Sequence, residues 1–596
     1  MLRKLLVLLI FATVSWAQSV VNQINLAIAF YNDNKIEQAI PILENVLKQD
    51  QYNYQAFDIL NDCYVRVKNY DKSRELIKKF LNIYNNIENY CRLAVTEYLA
   101  GNDNLAFSIW DDVRKKANNI GDFYTIANSL IQLRINDKAI EVLKDAKIKT
   151  NDINISYELA RLYYQTMNYK DMVYEYLEIY KKNPQNYNFV YSSIMNYSNT
   201  KYIQEIVVKA LEDLNSTDKN ILNLMNNLYI ALDDYNKAMD IAIRLDKLDK
   251  NDGSEILNFA NRCYALNKFK FAKTAYENYL TKYPKSPVLL NVNYLYYISQ
   301  IRILEDSIQK PIELMDNYQI IPDANAFKSI LFQLEKLIEG QKDNLSYNTK
   351  LEIAKVYSQI LKDYNKSNLY CQEIVSNNIG QIQIDAYYLM ILNNLYLGNY
   401  EQAIRFLEEI QNSGAVKVTE LDKYKFLQAK IELWRGNFSN SMKIFDEITN
   451  NKNSDYSNDA LTYYTTISFT VNDSLGLLHL AELDYYLFCG KVDKNSEKYI
   501  TYLQKVTNPF LRDALIYCLA QYFIFDNKID QAVQYLNKLT ETYNIYQDKS
   551  LYILGDIYSK IIKDKHKAKE SYEKILGNFP NSLYIRKSID KIKMLE

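Results

Sequence analysis

A chain of 596 residues, 48% hydrophobic and 24% charged, is long enough to bury a core and is not composed like a disordered protein. A formal net charge of −1 and the lack of a long basic run exclude the electrostatic footprint on which nucleic-acid affinity rests, so no nucleic-acid partner is expected. Twelve glycines and eight prolines are few for this length; they fit long helices joined by short turns and exclude an all-β fold with its many turns.

Residues 1–17 have the three parts of a secretory signal: Arg3 and Lys4, the apolar run from Leu5 to Val14, and Ser15-Trp16-Ala17 as a small-x-small cleavage site before Gln18. The mature chain is therefore expected outside the cytoplasm, in the periplasm or at the cell surface, with outer-membrane association as one form of this. No cysteine follows the apolar run to carry a lipid. No later segment reaches the ~18 uninterrupted apolar residues of a membrane span.

From about Val20 the chain repeats itself. Small residues on one helix face recur at Ala27, Asn61, Ala94, Ala127 and Ala160, at spacings of 34, 33, 33 and 33, and the register resumes at Asn226 and Ala260. Twelve residues after each comes a second marker, Ala39, Ser73, Ala106, Ala139, Met172, Ala238 and Ala272, and four further on a large residue such as Leu43, Trp110 or Tyr276. Each unit reads as two amphipathic helices held close by small residues.

Pro284, Pro287, Pro311 and Pro322 then crowd into one stretch, and the register blurs. Residues 285–345 are read as degenerate helical hairpins. The pattern returns at Ala354 and Cys371, continues through Gly398, Tyr400 and Ala403 and through Gly436, Phe438 and Ser441, weakens over 450–505, and closes with Ala520, Ala532 and Leu536. The last unit is the clearest: Leu551, Leu554, Gly555 and Tyr558 share one face, Ala568, Tyr572 and Ile575 another, and Pro580 stops the second helix. Ser582 to Glu596 reads as a helix that caps the stack. The lysine-rich stretch from Lys560 to Glu596 reads as a solvated outer face.

No catalytic residue, metal site or cofactor is predicted. The two histidines, His479 and His566, belong to no H-E-x-x-H or triad pattern, and no Gly-rich phosphate loop occurs. His479 follows Leu477 and Leu478 on a helix face expected to be buried, and His566 lies in an exposed turn. Six cysteines never reach a C-x-x-C spacing and read as buried thiols, with a Cys63–Cys91 bridge as a minor alternative. The 55 tyrosines outnumber the large repeat positions, which suggests a tyrosine-rich surface.

The spacing L-x2-L-G-x2-Y, A-x3-Y and P in Leu551 to Pro580, with one residue inserted between Tyr558 and Ala568, resembles the tetratricopeptide repeat. The resemblance implies an all-α solenoid of stacked helix-turn-helix repeats wound into a right-handed superhelix. It gives an N-terminal array over 18–284, the connecting segment 285–345, and a C-terminal array with its capping helix over 346–596. The closing segment is also similar to C-terminal units of bacterial envelope proteins with this repeat.

In that family the first helices line a groove, at positions three before, one after and four after the small marker. Three before gives Tyr124, Tyr157, Tyr388, Tyr517 and Tyr552. One after gives Asn128, Arg161, Asn227, Asn261, Lys355, Lys430 and Gln521; four after gives Tyr31, Tyr98, Tyr164 and Tyr264. The candidate partner-binding groove is placed at Tyr98, Asn128, Tyr157, Arg161, Tyr164, Asn227, Asn261 and Tyr264, where the register is most regular. Asn pairs with the backbone of an extended peptide and Tyr offers flat apolar area with a hydroxyl; equally, these tyrosines could serve only to pack neighbouring repeats. The expected function is a non-catalytic protein-interaction scaffold in the cell envelope, serving envelope assembly, secretion or surface organisation through envelope-protein partners. Glycan handling is the alternative.

Overall fold

The computed structural model describes residues 20–249, 251–377, 380–412, 420–451, 453–492 and 496–596. The signal sequence expected over 1–17 lies outside the described residues. The expected all-α solenoid is what forms: helical hairpins follow one another along the chain, and among the described residues there is no strand, only an isolated bridge between Gln309 and Ile320. No described helix is long and apolar enough to cross a membrane. The chain divides into two compact units, one ending at Asn251 and one beginning at Asp252.

In the first unit, hairpins such as Tyr54–Arg66 with Tyr70–Ile83 and Ile87–Leu99 with Asp103–Lys116 follow the sequence register. Ala27, Ala94, Ala127 and Ala160, and their partners Ala39, Ala106, Ala139 and Met172, are all fully buried, because at these points the two helices touch. Where a marker is polar, its hydrogen bonds are made across the hairpin. Ser73 Oγ donates to Asn61 Oδ1 at 2.7 Å, and Asn226 Nδ2 donates to the carbonyl of Ala238 at 2.7 Å.

The turns explain why glycine is scarce. Left-handed residues close the first helices at Asn34, Lys68, Gly101, Arg134, Met167 and Asp233, all at the same repeat position. The next residue donates its N–H back to the last helical turn, as in Lys35 to Phe30 and Asn69 to Tyr64, both at 2.8 Å. Those carbonyl contacts hold the left-handed conformation without requiring glycine. Asn53, Asn86 and Asn119 cap the following first helices, each accepting from the N–H three residues on. These asparagines thus have a structural role as caps.

The second unit keeps the same hairpins. Ser367 and Ser441 donate from second helices to the marker carbonyls of Ala354 and Ala429, both at 2.8 Å. In the closing hairpin a Cβ on Gly555 would collide with the ring of Tyr572, so the close approach inferred from sequence is real. The residue inserted between Tyr558 and Ala568 is absorbed as a π-helical turn over Ile557–Ile562. The capping helix forms at Ile585–Leu595.

Four readings need correction. The segment 285–345 is helical only in part: Leu289–Glu305 and Ala324–Leu337 pack together through Ile298, Ile301, Phe327 and Leu331, but residues 306–323, carrying Pro311 and Pro322, are irregular. The tyrosines do not make a surface; among the described residues only Tyr52, Tyr84, Tyr202 and Tyr543 are exposed, since most pair a ring with a neighbouring helix. Leu478 is exposed although Leu477 beside it is buried. The basic C-terminal stretch is not wholly solvated, because Lys587 and Lys591 pair with Glu313. All six cysteines are free and buried, Cys63 and Cys91 included, and burial raises their thiol pKa.

Candidate functional site

The second unit carries a partly open cavity of about 370 Å³. Its making starts with Ser474–Cys489, a helix apolar on nearly every side and buried over most of its surface, with Leu475 and Leu478 left exposed. Leu477, Leu480, Ala481 and Leu483 are buried, and Gly476 allows Leu511 to press against the helix where any Cβ would collide. This helix carries Asp484 to the cavity wall. There Trp434 Nε1 donates to Oδ2 at 2.6 Å, Tyr463 donates to Oδ1 at 2.6 Å, and Lys430 Nζ lies 2.8 Å from Oδ2 and 2.9 Å from Oδ1. The buried carboxylate is thereby fully paired, as a buried charge must be. Burial, then the Asp484 charge, pushes the Tyr463 phenol well above its usual range.

Opposite this cluster the walls are aromatic. Tyr517 stacks on Tyr546 with centroids 4.7 Å apart, and Tyr584 lies 5.2 Å from Tyr552. Lys549 reaches the rim and pairs with Asp459 at 2.9 Å. Tyr517, Tyr584 and Gln521 line the cavity, and the two hydroxyls and the amide have no hydrogen-bond partner among the described residues. Flat apolar walls with a few unpaired polar tips suit a chain segment that brings both apolar side chains and peptide groups.

One end of the cavity is closed by the chain's own irregular segment. Gln309 and Ile320 exchange main-chain hydrogen bonds of 3.1 and 2.9 Å, pinching the ten residues between them into a loop with joined ends. Leu314 to Asn317 line the cavity. Ile312 and Met315 are buried among Leu480, Leu511 and Leu554. The N–H of Glu313 donates to Asp556 Oδ2 at 2.9 Å, and its carboxylate accepts from Tyr552 at 2.7 Å and pairs with Lys587 at 2.7 Å and Lys591 at 3.3 Å. Asn317 Nδ2 donates to the Phe488 carbonyl at 2.5 Å.

Magnitudes put this docking near balance. Burial of Ile312 and Met315 contributes roughly 3–6 kcal/mol together, and the four or so polar contacts about 1 kcal/mol each. Ordering the loop opposes this by roughly 1 kcal/mol per residue.

The residues singled out from sequence lie as follows. In the first unit Tyr98 packs inside its own hairpin against Phe107 and Trp110, at 6.0 and 6.1 Å, and Asn128 is exposed. Tyr157 and Tyr164 each meet the next hairpin, Tyr157 at 5.2 Å from Phe189 and Tyr164 at 4.3 Å from Tyr197, with Tyr176 touching both partners. Arg161, on the same helix, pairs with Glu158 at 2.8 Å. Asn227 is half-buried on Lys219–Ala231. Asn261 and Tyr264 belong to the second unit. There Asn261 accepts from the Tyr276 hydroxyl at 2.8 Å, and Tyr264 packs on Phe269 at 5.5 Å. Tyr157, Arg161 and Tyr164 are thus brought together, and most of the tyrosines are engaged in inter-helix contacts.

Sequence reasoning did not find the Asp484 cluster, Lys549, Tyr584 or the docked loop. Lys430, Tyr517, Gln521 and Tyr552 were at groove positions of the register, and all four meet the cavity or its closing loop.

Residues 549–582 match the model of the tetratricopeptide repeat. Over that stretch the chain is similar to one tetratricopeptide repeat. This repeat is the hairpin that supplies Tyr552 and Asp556 to the closing loop, so the matched unit is part of the site. No curated protein sequence matches significantly. Among solved structures, a chain from the Naa15/Naa10 complex bound to HypK-THB is 11% identical, over 97% of this chain and 96% of its own, with a TM-score of 0.25. Yeast Tom70 is 12% identical over 76% and 97%, with a TM-score of 0.27, and a chain of the APC/C hetero-tetramer Cut9-Hcn1 is 14% identical over 92% and 98%, with a TM-score of 0.23. Scores this low fix neither a common path nor a common task.

Proposed function

We propose that this chain is a non-catalytic protein-interaction scaffold, exported to the cell envelope, that holds an extended protein segment of an envelope partner in the cavity of its second unit. The observation that carries the reading is the pairing of aromatic walls with unpaired Tyr517, Tyr584 and Gln521 groups beside a stretch of main chain already lodged there. The export part rests on the pattern of residues 1–17 alone, and a role in envelope assembly, secretion or surface organisation follows from that compartment. The aromatic strip of the first unit, Tyr157 and Tyr164 with Phe189 and Tyr197, is a second contact surface in this reading.

Glycan handling is the weaker alternative. Trp434 and Asp484 do meet, but the carboxylate already accepts from Trp434, Tyr463 and Lys430 and has no oxygen left for a sugar hydroxyl. Pull-down from envelope extract supplies the partner, and its titration against the full chain tests the site. Tyr517→Ala with Tyr584→Ala should weaken binding by about tenfold or more, as loss of aromatic anchors does. Unchanged affinity in a double variant with full helix content would remove the cavity from the account.

A further inference from the structure

The loop between Gln309 and Ile320 is built like a bound peptide rather than like a repeat. Its ends are hydrogen-bonded to each other, and the helices on either side pack directly through Ile298, Ile301, Phe327 and Leu331, so the hairpin they form does not need the tip in place. The tip folds through two turns, closed by hydrogen bonds from Met315 N–H to the Ile312 carbonyl and from Tyr318 N–H to the Met315 carbonyl, and it is held by contacts of the kind a bound peptide makes. One main-chain N–H reaches the carboxylate of Asp556, one acidic side chain meets Tyr552, Lys587 and Lys591, and two aliphatic side chains enter an apolar recess.

We propose that Pro311 to Tyr318 is an internal ligand of the second unit, displaced by a partner segment of the same chemistry: a glutamate flanked by aliphatic side chains. This rests on the reading of the cavity as a protein-binding site, and it names the partner's character. Lys587 and Lys591, both on the terminal helix, call for the carboxylate, and the recess holding Ile312 and Met315 calls for the aliphatic neighbours. Because Leu314 to Asn317 also form the cavity wall, a segment entering the cavity meets the loop and competes for the same end. A loop docked in about nine-tenths of molecules would lower apparent partner affinity about tenfold.

Two measurements on the full chain test this. Hydrogen exchange of the unmodified protein should show amides of 310–318 opening well before those of Pro509–Phe525, the helix under the loop. Exchange of both segments together would overturn the proposal, because the loop would then be a fixed part of the core. In the second, a labelled peptide KPIELMDNY should bind Glu313→Lys, whose loop is repelled by Lys587 and Lys591, about tenfold more tightly than it binds the unmodified chain. The gain should vanish when the peptide glutamate is replaced by glutamine. Equal binding to the two proteins, or binding to neither with Glu313→Lys folded, would overturn it. If the loop opens independently while Tyr517→Ala with Tyr584→Ala leaves partner binding unchanged, the cavity reading fails; if partner binding depends on those tyrosines while the loop stays protected, only the internal ligand fails.

Discussion

The Tyr552 hydroxyl donates to the carboxylate of Glu313 at 2.7 Å across 239 residues of sequence. It joins the matched tetratricopeptide repeat to a loop that belongs to no repeat. Hydrogen bonds and charge at that contact have a pH signature. Burial alone would raise the Glu313 pKa, but hydrogen bonds from Lys587 and Tyr552 and the charge of Lys591 bring it down from 4.5 to about 2. A folded value below the unfolded one means that the contribution is full above about pH 4.5 and is lost as pH falls through about 2. The difference in melting temperature between the unmodified chain and Glu313→Gln should therefore be steady from about pH 7 to 5 and shrink below that, and salt should reduce it. A difference that grows on acidification would contradict the assignment.

Close approach in the last hairpin predicts a local penalty. Gly555→Ala places a methyl against the Tyr572 ring, whose hydroxyl donates to Asp556 at 2.9 Å. The overpacking should cost ~1–3 kcal/mol. Hydrogen exchange should show the loss in the final hairpins and not in the first unit, because repeat stacks are held by neighbour contacts. Uniform loss along the chain would count against this picture.

The buried Asn61–Ser73 pair predicts coupling. Ser73→Ala strands the Asn61 side chain in a dry interface and should cost ~1–3 kcal/mol. Adding Asn61→Ala should recover part of that, giving a clear interaction energy in a double-mutant cycle read by denaturant unfolding. Strict additivity would show that the two side chains act independently.

Tyr157→Ala with Tyr164→Ala separates packing from binding in the first unit. Both rings rest on the next hairpin, so the pair should destabilise the first unit by ~2 kcal/mol or more. Partner affinity measured under conditions where the protein stays folded should fall as well if the strip is a contact surface. Unchanged affinity would leave these tyrosines as inter-repeat packing alone.

The register was legible because it is periodic. Ala94, Ala106, Ala127 and Ala139 announce helix contacts every turn of the solenoid, and even the extra residue before Ala568 appears, as the π-turn at Ile557–Ile562. What remained hidden is non-local. Nothing in the sequence around Glu313 signals a contact with Tyr552 or Lys587, since charge pairing at such separation leaves no period. Ser474–Cys489 reads only as an apolar helix, because a helix apolar on nearly every side has no single face to reveal its neighbours. Regular spacing also drew the candidate site toward Tyr98 to Tyr264, yet regularity reports helix packing. The irregular stretches, the loop around Pro311 and the helix of Asp484, shape the cavity.

The central claim is that the cavity of the second unit receives a segment of another protein. Its most direct test is photo-crosslinking in the native host from a photoreactive amino acid placed at Gln521, which has no hydrogen-bond partner among the described residues. The crosslinked peptides are then identified by mass spectrometry. The account predicts crosslinks to one short segment of a second protein, lost when Tyr517 and Tyr584 are both alanine. Crosslinks confined to this chain's own residues 310–318, or to glycan, with the protein folded, would contradict it.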